Sequence, residues 1–144
     1  MVVLENSVDI ALPQQAVFDY LSDLRNEREW NPKMRSVQLL TTEPIGIGTR
    51  YRARWAGSPD TVVECTRFDR PHEWAATAAS KMMTVRFSAL VTPNAAGSHL
   101  AVRMELIPHG PLKLLTPILR RRMRAQEVDN MAYIKNKMES LTAR

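Results

Sequence analysis

Tyr51, Glu127 and His109 are the polar groups through which this chain of 144 residues could do chemistry. Tyr51 lies in "TRYRARW", where Thr49, Tyr51, Ala53 and Trp55 share one face of a strand and Arg50, Arg52 and Arg54 the other. Its hydroxyl then points inward, able to donate to a ligand carbonyl or to the backbone. Glu127 falls on an apolar helical stripe between Met123 and Met131. Buried there, its carboxyl has a raised pKa and can act as acid or base. At the helix edge it instead pairs with Arg124, three residues earlier. His109, in "IPHGP", is the histidine to test for reactivity, or simply a loop residue.

The remaining candidates are bounded by what surrounds them. Cys65 is the single cysteine, which excludes an internal disulfide and a cysteine-based metal cluster. It faces inward with no base adjacent in sequence, as a buried thiol does. His72, His99 and His109 have no metal-ligand spacing with one another or with a carboxylate, so no metal is expected. A serine nucleophile elbow, a P-loop and a dinucleotide glycine motif are all missing, so neither a catalytic set nor a cofactor is expected.

These residues need elements to hold them. "VVLENSVDIA" alternates, with Val2, Leu4, Asn6, Val8 and Ile10 on one face, and reads as a half-buried strand. Pro13 opens a helix in which Ala16, Val17, Tyr20, Leu21 and Leu24 recur at helical spacing. A second short helix runs through "DLRNERE", its charges expected in water, and Pro32 stops it. Strands follow in "MRSVQLLT", "TRYRARWA", "TVVECTRF", "EWAATAA", "MMTVRFSALV" and "HLAVRMELI", separated by Gly- and Pro-containing turns. After a turn in "PLKLL", Thr116 as N-cap and Pro117 as first residue begin a long helix with an apolar stripe through Leu119, Met123, Met131, Ile134, Met138 and Leu141. Strand, two short helices, six strands and a long helix make an α+β protein with an antiparallel sheet. The length suits one domain spanning 1–144.

A net charge of +5 raises the question of a polyanionic partner. Acids are spread along the same chain, and no aromatic shares the strand face of Arg50, Arg52 and Arg54 or stands among Arg120, Arg121, Arg122 and Arg124. A stacking surface needs such aromatics, so a solvated basic face is expected and no nucleic acid. No apolar run approaches the ~20 residues of a membrane span. The segment 1–10 carries Glu5 and Asp9 where a signal peptide has an apolar core, so a cytoplasmic location is expected.

The combination of "VDIALPQQAVFDYLSDLRNEREWNP", "GIGTRYRARW", "FDRPHEW", "PLKLLTPILRRRM" and "DNMAYIKNKME" resembles the START-related polyketide cyclase/dehydratase and lipid-transport superfamily, the SRPBCC group. The resemblance covers nearly the whole chain in the family's order. It implies a helix-grip fold: a curved antiparallel sheet of about seven strands wrapped around the C-terminal helix, two short helices between strands 1 and 2, and a cavity between sheet and helix. Alternation would then line that cavity with Tyr51, Trp55, Val63, Cys65, Met83, Val85, Phe87, Met104 and Leu106, joined by Leu119, Met123 and Glu127 from the helix. Trp30 would stand at the cavity rim or in the core, and His109 near the mouth. Such a lining, rich in adaptable methionines, fits a small hydrophobic ligand such as a lipid, polyketide or isoprenoid. The expected function is a carrier, sensor or accessory protein, monomeric or homodimeric. A cyclase or dehydratase acting through Tyr51, Glu127 and His109 is the first alternative. A module delivering a quinone-like lipid at an anionic membrane surface is the second.

Overall fold

The computed structural model describes residues 1–141. Seven strands form one antiparallel sheet: β1 (Val2–Ile10), β2 (Met34–Leu39), β3 (Arg50–Trp55), β4 (Thr61–Asp69), β5 (Glu73–Ala79), β6 (Met83–Asn94) and β7 (Gly97–Pro108). Their spatial order is β1-β7-β6-β5-β4-β3-β2, so every sequential pair after β1 is a hairpin and β1 returns to the far edge beside β7. Between β1 and β2 lie α1 (Gln14–Leu21), a 3-10 turn (Leu24–Asn26) and α2 (Glu27–Trp30). A second 3-10 turn (Gly110–Leu115) leads into α3 (Thr116–Ser140), the helix the sheet grips.

Alternation sorts each strand into two faces as the residue pattern requires. Val2, Leu4 and Ile10 of β1 are buried, whereas Arg50, Arg52 and Arg54 of β3 stand in solvent opposite buried Tyr51 and Ala53. β4 carries a bulge between Cys65 and Arg67, and β2 one between Met34 and Ser36. Each inserts a residue, bending the strand and steepening its twist.

Two helix details differ from the periodic reading. α1 buries Val17 and Phe18, while Ala16 is exposed and Tyr20 only half-buried. The buried face is turned because Phe18 seats edge-on against Phe68 at 5.2 Å and Trp74 at 5.3 Å. Thr116 is not the cap of α3: it is already helical, and its hydroxyl donates to the carbonyl of Lys113 at 2.7 Å. The preceding 3-10 turn supplies the helical hydrogen-bonding that a cap would otherwise provide.

The buried apolar residues form three clusters. The largest joins α1, β1, β5–β7 and the C-terminal half of α3 through Phe18, Trp74, Val91, Leu100, Ile134 and Met138. A second, around Met34, Tyr51, Ala53 and Val63, lies at the β2–β4 end of the sheet. The third consists of Val2, Leu4 and Leu106, with Met83, Val85, Met104 and Met123 against it. One glycine is required where the β6–β7 hairpin meets the end of β1. Gly97 has φ +147°, and a Cβ there would lie 2.5 Å from the carbonyl oxygen of Ile10.

Candidate functional site

The pairing register decides which side chains meet on the face turned toward α3. One row runs Val2–Leu106–Val85–Ala78–Val63–Tyr51–Leu39 across all seven strands. The next runs Leu4–Met104–Phe87–Ala76–Cys65. In both rows the middle strand β5 contributes only alanine, so the centre of this face is lined by the smallest side chains. Around them Cys65, Met83, Val85, Phe87 and Met104 are only half-buried, although the same face closes completely at Val91 and Leu100. On the helix side, Leu119 and Met123 are likewise half-buried, and the fully buried positions of α3 begin at Glu127.

Glu127 is 7% exposed and stays in the interior; among the described residues it forms no ion pair with Arg124, which is exposed. Its pKa is pushed up to about 7, first by burial and further by the nearby carboxyl of Glu27, while a hydrogen bond with Asn130 works in the opposite direction. Glu27 belongs to the charged run "RNERE", which the sequence reading expects in water. Arg28 and Glu29 are indeed exposed, but the Glu27 side chain turns inward from the first residue of α2. Its Oε2 accepts from Trp55 Nε1 at 2.6 Å and from Asn31 Nδ2 at 2.9 Å. Burial raises its pKa, against the lowering effect of those two donors. The reason for the reversal is local: a single helical turn has one inward position, and the indole and amide donors meet a carboxylate there. Asn31 and Pro32 then end α2, with the Asn31 Oδ1 accepting from the Lys33 amide at 3.0 Å.

The two acids come from helices far apart in sequence, yet α2 packs on α3, and Lys33 reaches Gln126 at 3.4 Å beside the contact. Burial, and to a smaller degree the charge of Glu27, therefore keep the Glu127 proton on above the normal carboxylate range. Glu127 can thus give or take a proton near neutral pH, while the Trp55 indole N–H is held by Glu27. The only sequence signal for it was the pattern of a glutamate four residues before an asparagine, in a segment too short to reveal a face.

The other candidates are placed as follows. Trp55 is half-buried and spends its N–H on Glu27; Trp30 is half-buried against the largest cluster. Tyr51 is 4% exposed, and its hydroxyl is buried without a hydrogen bond of proper geometry, although the Leu24 backbone lies near enough to favour the phenolate. Burial dominates and pushes its pKa up to about 12. The Cys65 thiol is raised by burial too, and its Sγ donates to the Arg67 carbonyl at 3.3 Å. His109 contacts Thr84 at 2.8 Å, a residue alternating with Met83 and Val85 and therefore on the opposite face of the sheet. His72 meets Gln14, and His99 meets Asp9. Among the described residues, no group of three histidines, cysteines or carboxylates could hold a metal ion. No described helix is long and apolar enough to cross a membrane. Two open concavities lie elsewhere: one among Glu5, Ser7, Leu90, His99 and Arg103 on the outer face of the sheet, the other along Pro117, Arg121 and Val128 of α3.

Comparison with known proteins agrees with this architecture. Among solved structures, a START superfamily protein from Mycobacterium smegmatis superposes with a TM-score of 0.82 at 12% identity, covering 96% of this chain and 98% of that one. The di-domain ARO/CYC StfQ from the steffimycin biosynthetic pathway gives 0.77 at 14% identity, over 99% of this chain and 52% of its own. A protein of unknown function from Staphylococcus aureus gives 0.78 at 9% identity, over 99% of this chain and 96% of its own. At these identities the likeness is one of fold. No match is found among curated protein sequences. The family model for polyketide cyclase/dehydrase and lipid transport matches residues 1–139, nearly the full chain. On that match, and on the seven-stranded sheet closed around α3, the chain belongs to the polyketide cyclase/dehydrase and lipid-transport family.

Proposed function

We propose that the chain binds a small lipophilic molecule, of lipid, polyketide or isoprenoid character, between the α3-facing side of the sheet and the N-terminal half of α3. The observation that carries this is the half-exposure of Met83, Phe87 and Met104 around the Ala76–Ala78 centre of a face that closes completely only toward Val91 and Leu100. Apolar side chains left half-covered beneath a helix gain by closing on an apolar guest, at roughly 25 cal/mol per Å² removed from water. Trp55, Cys65, Leu119 and Met123 would complete the lining, with Tyr51 and Trp30 at its margins. The Glu27–Glu127 pair forms the polar end. A neutral carboxyl there donates to a ligand carbonyl, and an ionised one accepts from a ligand hydroxyl. The protein then acts as a carrier, sensor or accessory factor.

A second reading, cyclase or dehydratase chemistry on a polyketide-like substrate, is favoured by one observation. Glu127, with a pKa near 7, is poised to give and take a proton at neutral pH. The likeness to the di-domain ARO/CYC StfQ of a biosynthetic pathway supports the same reading at the level of fold.

Native mass spectrometry of the purified protein, followed by organic extraction, tests the first reading. A lipophilic mass at near-stoichiometric occupancy is expected, lost when Ala76→Leu and Ala78→Leu fill the centre. An unliganded wild type, or a doubly substituted protein that still carries the mass, overturns the proposed site. Enzymatic action is distinguished by Glu127→Gln, which should keep the bound mass and abolish turnover of a polyketide-like substrate.

A further inference from the structure

The stretch between Glu105 and Glu127 contains no carboxylate but carries Lys113, Arg120, Arg121, Arg122 and Arg124. The same stretch shows water an unusual amount of aliphatic surface: Leu114 is 85% exposed, Ile118 54% and Leu115 49%. The turn before β6 adds Met82, 46% exposed, held next to this segment by the His109 amide donating to the Met82 carbonyl at 2.9 Å. None of the four arginines is in an ion pair among the described residues. Helical spacing puts Leu114, Ile118 and Arg121 on one outward side, and Arg120, Arg121 and Arg124 flank the shallow concavity that begins at Pro117. This part of the chain is thus an apolar tip backed by a basic collar, at the N-terminal end of α3, ahead of its fully buried positions.

We propose that this tip, the 3-10 turn and first three turns of α3, docks on an anionic lipid bilayer. Aliphatic side chains enter the boundary between headgroups and acyl chains, and the basic collar rests among the anionic headgroups. Charge decides the occupant. A second copy of the chain would bring two carboxylate-free basic collars face to face. A nucleic acid would satisfy the arginines but leave Leu114, Leu115 and Ile118 without partners, and the tip has no aromatic on which a base could stack. A bilayer satisfies both the apolar and the charged parts. The surface is separate from the Glu27–Glu127 pair and does not depend on what the interior binds.

Co-sedimentation with vesicles tests it, comparing phosphatidylcholine alone with an equimolar phosphatidylcholine–phosphatidylglycerol mixture. The wild type should pellet with the anionic vesicles at low salt, be released as salt rises, and ignore the neutral vesicles. Arg120→Ala with Arg121→Ala should weaken partitioning about thirtyfold, each charge near the surface being worth roughly a factor of five. Leu114→Asp should weaken it about tenfold or more, and because that side chain is nearly free in solvent the fold is untouched. Arg50→Ala with Arg52→Ala, on the outer face of β3, should bind as wild type. Wild-type binding to neutral vesicles of equal strength overturns the proposal. So does vesicle binding indifferent to the α3 substitutions, or no vesicle binding at all. A dimer in analytical ultracentrifugation that Leu114→Asp dissociates would assign the tip to a second copy instead.

Discussion

Replacing Glu127 by glutamine should make the protein more stable at neutral pH, and the gain should itself titrate. In the folded protein the Glu127 carboxyl has a pKa of about 7, against an ordinary value of 4.5. Below about pH 4.5 both folded and unfolded chains hold the proton, and the substitution changes little. Between about pH 4.5 and 7 the unfolded chain has released its proton while the folded one keeps it, so wild-type stability falls as pH rises. The gap is worth about 1.36 kcal/mol for each pH unit, reaching roughly 3 kcal/mol above pH 7. The residue is 7% exposed, so solvent does little to screen the effect. Glutamine fits the same volume, can still meet Asn130, and never carries the charge. Urea unfolding of wild type and Glu127→Gln from about pH 4 to about pH 8 reads the difference directly. A difference that stays flat with pH, or a wild type more stable than the variant at pH 8, would refute the buried-pair argument. Glu27→Gln is the companion: with the neighbouring charge gone, the Glu127 midpoint should move down but remain above the ordinary value, because burial, the larger cause, persists. Following the side-chain carboxyl carbon by NMR would show it.

Trp55→Phe removes the 2.6 Å hydrogen bond to Glu27 and leaves that carboxyl with Asn31 alone, which should cost about 1–3 kcal/mol in urea unfolding. Phe18→Ala empties a site that is fully buried between Phe68 and Trp74; a loss of about 3–5 kcal/mol is expected, and a loss under ~1 kcal/mol would show that the aromatic cluster can collapse. Gly97→Ala combines φ +147° with a Cβ 2.5 Å from a backbone oxygen, so the variant should unfold at markedly lower temperature, by about 2 kcal/mol or more, in a thermal melt. Asp19→Asn cuts the surface pair with Arg70, whose two contacts are both 2.6 Å, yet the urea midpoint should hardly move, because both partners are solvated.

Much of the architecture follows from one-dimensional pattern. Alternation in β1 and β3 determined which side chains turn inward, and put Arg50, Arg52 and Arg54 outside, because a strand's two faces repeat every second residue wherever it sits. The uninterrupted stripe from Leu119 to Leu141 determined one long helix, and the succession of strands without intervening helices determined an antiparallel sheet. Glu127 belonged visibly to that stripe. What faced it did not. Whether it met Arg124 or another acid depended on where α2 lands, and a four-residue helix carries no periodicity from which to read an inward face. Glu27 therefore reads as one more solvated charge until Trp55 and Asn31 are seen to hold it. In the same way "EWAATAA" is legible as a strand, but only the register across seven strands sets Ala76 and Ala78 at the centre of the face under α3, among Phe87, Val85 and Val63. Local sequence decides a residue's side of its own element, because backbone geometry is local; its neighbours from distant elements are decided by packing, which is not.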